Sequence, residues 1–405
     1  MSVWSGRRRA LTVLLFLLPT IIAVLIFNIY PTILNIYTSF TTRNKYKPNP
    51  DCSVALSGVL DPLCWPVFRD TAPVGLGEPY RIADPPFKNY TDLLGKLFAP
   101  PALISLGKML VCLVPLIIAN AVNKRFAKEV TPPLASGWVW LMAIISVVIL
   151  GFVLDFFAAL ATLMETGDFL VVVLRTVMFV AIRVPLTFLV GLILALILNS
   201  QHLPGRTFFR VVLFIPWGAS AVAILIALVW QFFFRDQGVI NQLLLAVFNY
   251  KGPVWLNSPV WATVVIVLAD IWFSYPFFMV SILGALQSVP NELYEAADVD
   301  GASPWQQLMG ITLPLIRPAI VPALVLTSIT AFQMFGTAFA ITAGGPQLGA
   351  DKPGATEYVM VYAYRQIYQV SNYGRATAFA VLIFIMLFLA TLYSLRITKI
   401  TKGAR

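Results

Sequence analysis

Long apolar runs separated by short polar segments make up most of this sequence. Several runs reach the roughly 20 residues that an α-helix needs to cross a hydrocarbon core of about 30 Å. The pattern predicts an all-α polytopic membrane protein with eight transmembrane helices. The predicted helices cover residues 11–38, 103–123, 134–163, 169–199, 207–233, 259–286, 318–342 and 376–396.

The composition agrees with a membrane protein. Of the 405 residues, 59% are hydrophobic and 11% are charged, whereas a soluble domain has about 25% charged residues. The formal net charge is +10, but the cations stand singly or in short clusters beside apolar runs, which does not indicate a nucleic-acid-binding face. Three cysteines and one histidine, His202 beside Pro204 in a polar loop, predict no metal site and no histidine catalysis.

The basic residues give the orientation, because cytoplasmic loops carry excess lysine and arginine. An even number of spans places both termini on one side, which we predict to be the cytoplasm of a bacterial or archaeal cell. The basic residues on that side are Arg7, Arg8, Arg9, Lys124, Arg125, Lys128, Arg206, Arg210, Arg396, Lys399, Lys402 and Arg405. A cleaved signal peptide is the alternative for the first run, but residues 11–30 are long for one and lack a small-residue cleavage site.

Polar segments divide the chain. Residues 41–102 are rich in proline and are predicted to form an extracytoplasmic loop or small domain, in which Cys52 and Cys64 either form a disulfide or remain two free thiols. Cys112 lies in a span and is predicted to pack there. The predicted divisions are 1–40 (amino terminus and first helix), 41–102, 103–167 (a helical hairpin), 168–396 (a core containing the loop 287–317) and 397–405 (a cytoplasmic tail).

The loop at residues 287–317 is unusually structured for a connection between spans. Asn291 is a plausible N-cap for a short helix from Glu292 to Val299, which Gly301 ends. Ser303 and Pro304 favour a second short helix through Met309, which Pro314 is predicted to stop. Two short helices meeting at a glycine suggest a docking surface for a protein partner; a simple connecting loop is the alternative.

The spacing within this loop resembles the EAA signature of ABC importer permeases. In that family the loop forms a helix that seats in a cytoplasmic ATPase subunit, so the resemblance implies that ATP-driven movement is transmitted here. Gly301 would allow close approach of the backbone, and Glu295 would be an anchor and not a catalyst. The residues that the resemblance assigns to ATPase coupling are Glu295, Ala296, Ala297, Asp298, Gly301, Ile311, Leu313 and Pro314.

Other segments resemble the sugar-permease branch, in particular the maltose-type first subunit. They are FKNYTDLL at 87–94, the run from Arg206 to Pro216, GVIN at 238–241, WFSYPFFM at 272–279 and TAGGP at 342–346. The resemblance implies a type I importer permease fold for a di- or oligosaccharide such as a maltose- or trehalose-like solute. Residues 95–167 then resemble an inserted two-helix hairpin that raises six core spans to eight.

The resemblance also implies partners. They are a second homologous permease, two ATPase subunits and an extracytoplasmic sugar-binding protein. This chain has no GxxxxGK[ST] phosphate-binding loop. It is therefore predicted to be no enzyme and to hold no cofactor, with ATP and Mg²⁺ bound by the partner ATPase.

Asp270 is the candidate solute-site residue in the spans, because an intramembrane carboxylate is costly and normally faces the bundle interior. A pair with Arg175 or Arg183 is the alternative. The resemblance adds Phe273, Ser274, Phe277, Phe332 and Gln333 as sugar-contacting positions, although the aromatic residues fit plain packing equally well. Asp270 departs from the neutral amide expected at a maltose-type site, so the identity of the sugar stays open.

Three alternatives remain at this point. A non-sugar solute would use the same EAA loop. An ion-coupled secondary transporter would use Asp270 as its ion site, but the sequence shows few further intramembrane acids and no inverted repeat. A membrane enzyme would need clustered acids or histidines at one interface, and none is evident.

Overall fold

The computed structural model describes residues 7–71, 77–126, 133–200, 203–350 and 352–398. Several residues named above, namely Lys128, His202, Lys399, Lys402 and Arg405, lie outside the described residues. The helices are α1 (Arg7–Val24), α2 (Tyr30–Ser39), α3 (Ala55–Leu60), α4 (Lys88–Leu97), α5 (Pro100–Phe126), α6 (Pro133–Val153), α7 (Phe156–Thr166), α8 (Asp168–Asn199), α9 (Arg206–Gly218), α10 (Ala223–Phe233), α11 (Val239–Phe248), α12 (Pro259–Leu286), α13 (Glu292–Val299), α14 (Pro304–Gln307), α15 (Leu313–Phe332), α16 (Gly336–Thr342), α17 (Val359–Val370) and α18 (Tyr373–Thr398).

The described residues form helices and loops, with only three isolated β-bridges. Within them, six helical segments are long and apolar enough to cross a membrane, and α6 with α7 forms a seventh if that bent pair counts as one span. This confirms the predicted all-α polytopic membrane fold, although eight spans were predicted; the apolar part of α18, Tyr373–Leu389, where the last was predicted, is among the shorter apolar helices. The six are Thr12–Ser39, Pro100–Lys124, Asp168–Asn199, Arg206–Phe233, Pro259–Leu286 and Pro304–Phe332.

Two of the predicted spans, 134–163 and 207–233, are interrupted in the structure and are not continuous α-helices. The predicted helix 134–163 is broken into α6 and α7, which meet at 62°. Asp155 at the break has φ 50°, a left-handed conformation that aspartate tolerates better than most residues. A 3₁₀ turn, Ala219–Val222, likewise separates α9 from α10.

The predicted helix 318–342 is wrong at its start and is broken within, although its predicted end coincides with the end of α16 at Thr342. The helical segment begins at Pro304 and continues through a π-helical turn, Leu308–Thr312, into α15. Pro314 does not stop it, because proline is tolerated in the first turn of α15 and the wider π turn relieves its clash with the preceding carbonyl. Gln333 ends α15, and α16 starts after a three-residue break.

One compact unit comprises residues 1–96 and 363–389. In its polar part, a disulfide joins Cys52 and Cys64. The buried Asp61 accepts hydrogen bonds from the Tyr80 hydroxyl and the Leu63 backbone and forms an ion pair of 3.4 Å with Arg43. Burial and the neighbouring carboxylate raise the pKa of Tyr80 above its usual range, so its hydroxyl stays protonated and donates.

The disulfide is expected to stabilise this segment. Replacing both Cys52 and Cys64 with serine removes a crosslink spanning 12 residues, which costs about 3 kcal/mol for a loop of that size. Limited proteolysis should therefore cleave within residues 41–96 of the double variant much faster than in the unchanged protein. Cys112→Ser, at a buried free cysteine, is the control and should leave that cleavage rate unchanged; equal rates in all three proteins would contradict the prediction.

The second unit comprises residues 97–362 and 390–405. Its most extensive helix contact is between α8 and α12. Two apolar cores lie along these helices. One contains Phe179 and Val265 with Ala338 of α16, and the other contains Leu192 and Phe278 with residues of α15.

Gly191 allows the close approach of α8 to α12. A Cβ atom there would lie 2.5 Å from Cβ of Phe278 and 3.1 Å from the carbonyl oxygen of Tyr275. We expect Gly191→Ala to lower the free energy of unfolding by about 1–3 kcal/mol through overpacking. The matched variant Gly284→Ala, at a glycine of α12 with open space around it, should leave the thermal unfolding midpoint in detergent nearly unchanged. Equal unfolding midpoints for the two variants would contradict the close packing of α8 against α12 at Gly191.

Candidate functional site

A buried ion pair joins α8 and α12 near the middle of both spans. Nε of Arg183 lies 2.7 Å from Oδ2 of Asp270, and each residue is only 5% exposed. Arg183 falls at the centre of α8, and Asp270 lies within three residues of the centre of α12. The two opposite charges compensate each other where a single one would be most costly.

Two hydroxyl groups complete this cluster. The Arg183 guanidinium donates through Nη2 to the Ser274 hydroxyl. Thr337 of α16 lies beside the Asp270 carboxylate. We call Arg183, Asp270, Ser274 and Thr337 the polar layer. Along α8 and α12 it separates the two apolar cores, and it lies just beyond the break between α15 and α16.

The other residues predicted to contact a sugar are less concentrated. Phe273 is buried, and Phe277 packs against the apolar core that contains Leu192. Phe332 is half-buried, whereas Gln333 is exposed at the end of α15. Among the described residues, the structure therefore brings Asp270 and Ser274 together through Arg183, and the sugar contacts themselves stay predictions.

Arg175, the other arginine considered as a partner for Asp270, has a different role. Its Nη1 donates to the carbonyl oxygens of Gly354 at 2.9 Å and Pro353 at 3.4 Å. It lies eight residues from Arg183, about 12 Å along the helix axis. It therefore holds the 343–358 loop to α8, and Arg183 is the residue that pairs with Asp270.

The second candidate site is the segment from Asn291 to Thr312, here called the elbow. Helix α13 has the predicted bounds, Glu292–Val299, and ends before Gly301 at φ 74°. Asn291 makes no side-chain cap, contrary to the prediction. Ser303 does cap α14: it accepts from the backbone N–H of Gln306, whose side chain accepts from the backbone N–H of Ser303.

Side-chain contacts fix the angle of the elbow. Nε2 of Gln307 donates to Oδ1 of Asp298 at 2.5 Å and to the carbonyl oxygen of Ala302 at 3.3 Å. The hydroxyls of Tyr294 and Thr312 are 3.0 Å apart. Gln307, Tyr294 and Thr312 were not singled out from the sequence, although their spacing across Gly301 could have suggested contact between the two short helices.

Apolar side chains are exposed on the elbow. Val299 is 88% exposed and Trp305 is 65% exposed, and Leu293 is also exposed. A Cβ atom built on Gly301 would meet nothing within 4 Å. Glu295, Ala296 and Asp298 are exposed too, so most of the predicted coupling residues on α13 are accessible. Of the rest, Ile311 and Leu313 are half-buried and Pro314 is exposed.

A match to the family described as the binding-protein-dependent transport system inner membrane component covers residues 187–402, just over half of the chain. The chain belongs to this family. The matched residues include the carboxy-terminal part of α8 from residue 187 and the whole elbow, and they leave out α5–α7. The family membership confirms the resemblance to importer permeases that the elbow carries.

Named relatives of this permease carry out sugar transport. It is 33% identical over 224 residues to the trehalose/maltose transport system permease protein MalF of Thermococcus litoralis. This match covers 55% of this chain and 72% of the relative. It is 34% identical over 237 residues to the maltose/maltodextrin transport system permease protein MalF of Escherichia coli K12. That match covers 57% of this chain and 46% of the relative. The match thus spans less than half of the Escherichia coli protein.

Two solved ABC transporter structures are similar to the chain at lower sequence identity. A bacterial alginate ABC transporter in complex with an alginate pentasaccharide-bound periplasmic protein is 24% identical, with a TM-score of 0.49 over 66% of this permease and 93% of that chain. The MetNI methionine ABC transporter in an inward-facing conformation is 20% identical, with a TM-score of 0.36 over 57% and 94%.

Proposed function

We propose that this chain is the transmembrane subunit of an ATP-driven sugar importer. The observation that carries the proposal is the family match, which contains a complete elbow with its exposed apolar face. The names of the relatives favour a maltose- or trehalose-like solute. A di- or oligosaccharide is therefore the first candidate for the transported solute.

The partners follow from the same proposal. A second, homologous permease would complete the path, and an extracytoplasmic binding protein would deliver the sugar. Two ATPase subunits would bind ATP and Mg²⁺, so that this chain itself catalyses nothing. Both termini would lie in the cytoplasm, with the elbow on the same side and the disulfide-containing segment outside.

The elbow would transmit the movement of the ATPase. Its exposed Val299 and Trp305 offer the apolar anchors that dominate protein interfaces. Its internal hydrogen bonds, such as Gln307 to Asp298, would make it move as one piece. Since only residues 287–290 separate α12 from the elbow and α15 follows it directly, a push there would reach the spans through a short connection.

The polar layer would set the charge of the path. Arg183 and Asp270 together carry no net charge, and their hydrogen-bonding groups suit a polyhydroxylated, uncharged solute better than an anion or a cation. The exposed Gln333 would be the residue most accessible to the sugar. A carboxylate already paired with arginine is also a poor ion site, which disfavours an ion-coupled secondary transporter.

Co-purification tests the proposed assembly. The tagged full-length chain would be isolated from its native membrane in mild detergent, its partners identified by mass spectrometry, and ATP hydrolysis measured. We expect a second permease and an ATPase with a phosphate-binding loop. A chain that purifies alone, without ATPase activity, and whose uptake follows an ion gradient would overturn the proposal.

A further inference from the structure

A groove of about 550 Å³ lies between α8, α12 and the 343–358 loop. Its walls are apolar over most of their length, with Phe179, Ile182, Leu186, Val267 and Ile271 among them. Three polar residues, Arg175, Thr263 and Tyr358, lie at one end.

The polar end contains a buried group without a good partner. Tyr358 is 2% exposed, and its hydroxyl makes no well-formed hydrogen bond among the described residues, although Thr263 is close. The Thr263 hydroxyl donates to the carbonyl oxygen of Pro259; its oxygen could still accept, but it forms no hydrogen bond with the Tyr358 hydroxyl. Burial raises the pKa of Tyr358 above its usual range, so the hydroxyl stays a donor. A buried donor without an acceptor is unfavourable, and a ligand with an acceptor oxygen would satisfy it.

The groove has the depth of one membrane leaflet. Arg175 lies about 12 Å along α8 from Arg183, which is at the centre of that span. Half of a hydrocarbon core is about 15 Å, so the polar end of the groove lies near the headgroup boundary. Leu186 at the other end is near the middle of the membrane. An elongated ligand with one polar end and one apolar tail fits this arrangement.

The local charges indicate the kind of headgroup. Arg175 interacts with the carboxylates of Glu357 and Asp168. Lys352 forms an ion pair of 3.2 Å with Asp168. Among the described residues, Arg175 is the only charged residue that lines the groove. The carboxylates of Glu357 and Asp168 compensate its charge, so the groove offers no excess positive charge to a purely anionic headgroup. A zwitterionic headgroup could place its phosphodiester beside Arg175 and Tyr358 and its ammonium toward Asp168.

We propose that the groove binds one zwitterionic glycerophospholipid from the leaflet on the side of the 343–358 loop. Its phosphodiester accepts hydrogen bonds from Tyr358 and Arg175, and one acyl chain lies along Ile182 and Leu186. The lipid thereby joins α8, α12 and the loop. Within the described part of the chain, the groove shares no lining residue with the elbow or the polar layer, and Asp270 acts on Tyr358 only through its charge.

Native mass spectrometry of the complete complex, purified in mild detergent, tests the site. The complex would be supplied with phosphatidylethanolamine or phosphatidylglycerol, and the lipid molecules retained per complex would be counted. We expect one phosphatidylethanolamine to be retained, with phosphatidylglycerol retained at least several-fold less. Equal retention of the two lipids would overturn the assignment of a zwitterionic headgroup.

Two matched pairs of variants locate the bound lipid. Ile182→Trp would fill the groove and abolish retention, while Leu189→Trp, at a residue of α8 that does not line the groove and is equally exposed (49% against 48%), would not. Tyr358→Phe should weaken retention about two- to tenfold, the loss expected for one hydrogen bond, while Tyr362→Phe should not.

Two results would overturn the site itself. The first is equal retention by the two tryptophan variants. The second is loss of a partner chain from the complex on Ile182→Trp, which would identify the groove as a contact with that chain. Because lipid retention is counted without any transport assay, its outcome is independent of whether the solute is a sugar.

Discussion

Replacing Gly301 with arginine is expected to abolish ATP-driven uptake while leaving the chain inserted in the membrane. Gly301 adopts φ 74°, and a residue with a Cβ atom costs roughly 1–2 kcal/mol in this conformation. The larger effect comes from outside the chain. The space beside Gly301 is open, and in our proposal the ATPase occupies it, so an arginine would keep the two surfaces apart.

Gly301→Asn separates the two causes. Asparagine visits the left-handed conformation more readily than most residues, but its side chain is shorter than that of arginine. We expect it to retain more uptake than Gly301→Arg, with both variants present at normal levels in the membrane. The readouts are uptake, ATP hydrolysis and co-purification of the ATPase; full uptake by Gly301→Arg would contradict the coupling role of the elbow.

Asp270→Leu alone should destabilise the protein far more than Asp270→Leu combined with Arg183→Leu. The single change leaves the buried Arg183 charge without its partner, a situation that typically costs about 3–5 kcal/mol. The double change removes both charges, and comparable replacements of buried pairs by apolar residues are often neutral or stabilising. Thermal unfolding of the purified complex measures both effects.

Transport by the same variants distinguishes a structural pair from a pair that also contacts the solute. If the pair only joins α8 to α12, the double variant should restore uptake together with stability. If the pair also sets the charge and hydrogen bonding of the path, as we propose, the double variant should be stable but show a raised KM for the sugar. Equal destabilisation by the single and double variants would contradict the described ion pair.

The elbow was largely predictable from the sequence because its signals are local. Acidic residues in the first turn and Gly301 after the last turn gave the bounds of α13 correctly. The second helix was mispredicted because Pro314 was treated as a stop. A proline ends a helix through a clash with the carbonyl four residues earlier, and the sequence gives no sign of the π turn that relieves it.

The polar layer was only partly predictable. Asp270 was identified because a carboxylate within a span is rare, but hydrophobic periodicity could not choose between Arg175 and Arg183. The depth of each residue in the membrane could have identified Arg183 as the partner. Arg183 is at the centre of α8 and Asp270 is near the centre of α12, whereas Arg175 is about 12 Å from Arg183 along α8. Ser274 was expected to contact a sugar, and its bond to Arg183 depends on packing between helices that are far apart in sequence.

The helix breaks were not predictable from hydropathy. Both the 62° bend between α6 and α7 and the gap between α15 and α16 lie within long apolar runs that a single polar residue interrupts at each break, Asp155 and Gln333. A hydropathy window measures transfer into the membrane and not backbone conformation, so it joins segments that the backbone separates. Asp155 within the apolar run was the one local sign of the first break.

Uptake by proteoliposomes tests the central proposal most directly. The co-purified assembly would be reconstituted with its binding protein, ATP would be placed on the side of the elbow, and entry of radiolabelled maltose and trehalose would be measured against an anionic sugar and an amino acid. We predict uptake of an uncharged di- or oligosaccharide that requires ATP and is lost in Gly301→Arg. Sugar uptake that proceeds without ATP, or ATP-driven uptake restricted to a non-sugar solute, would contradict the account.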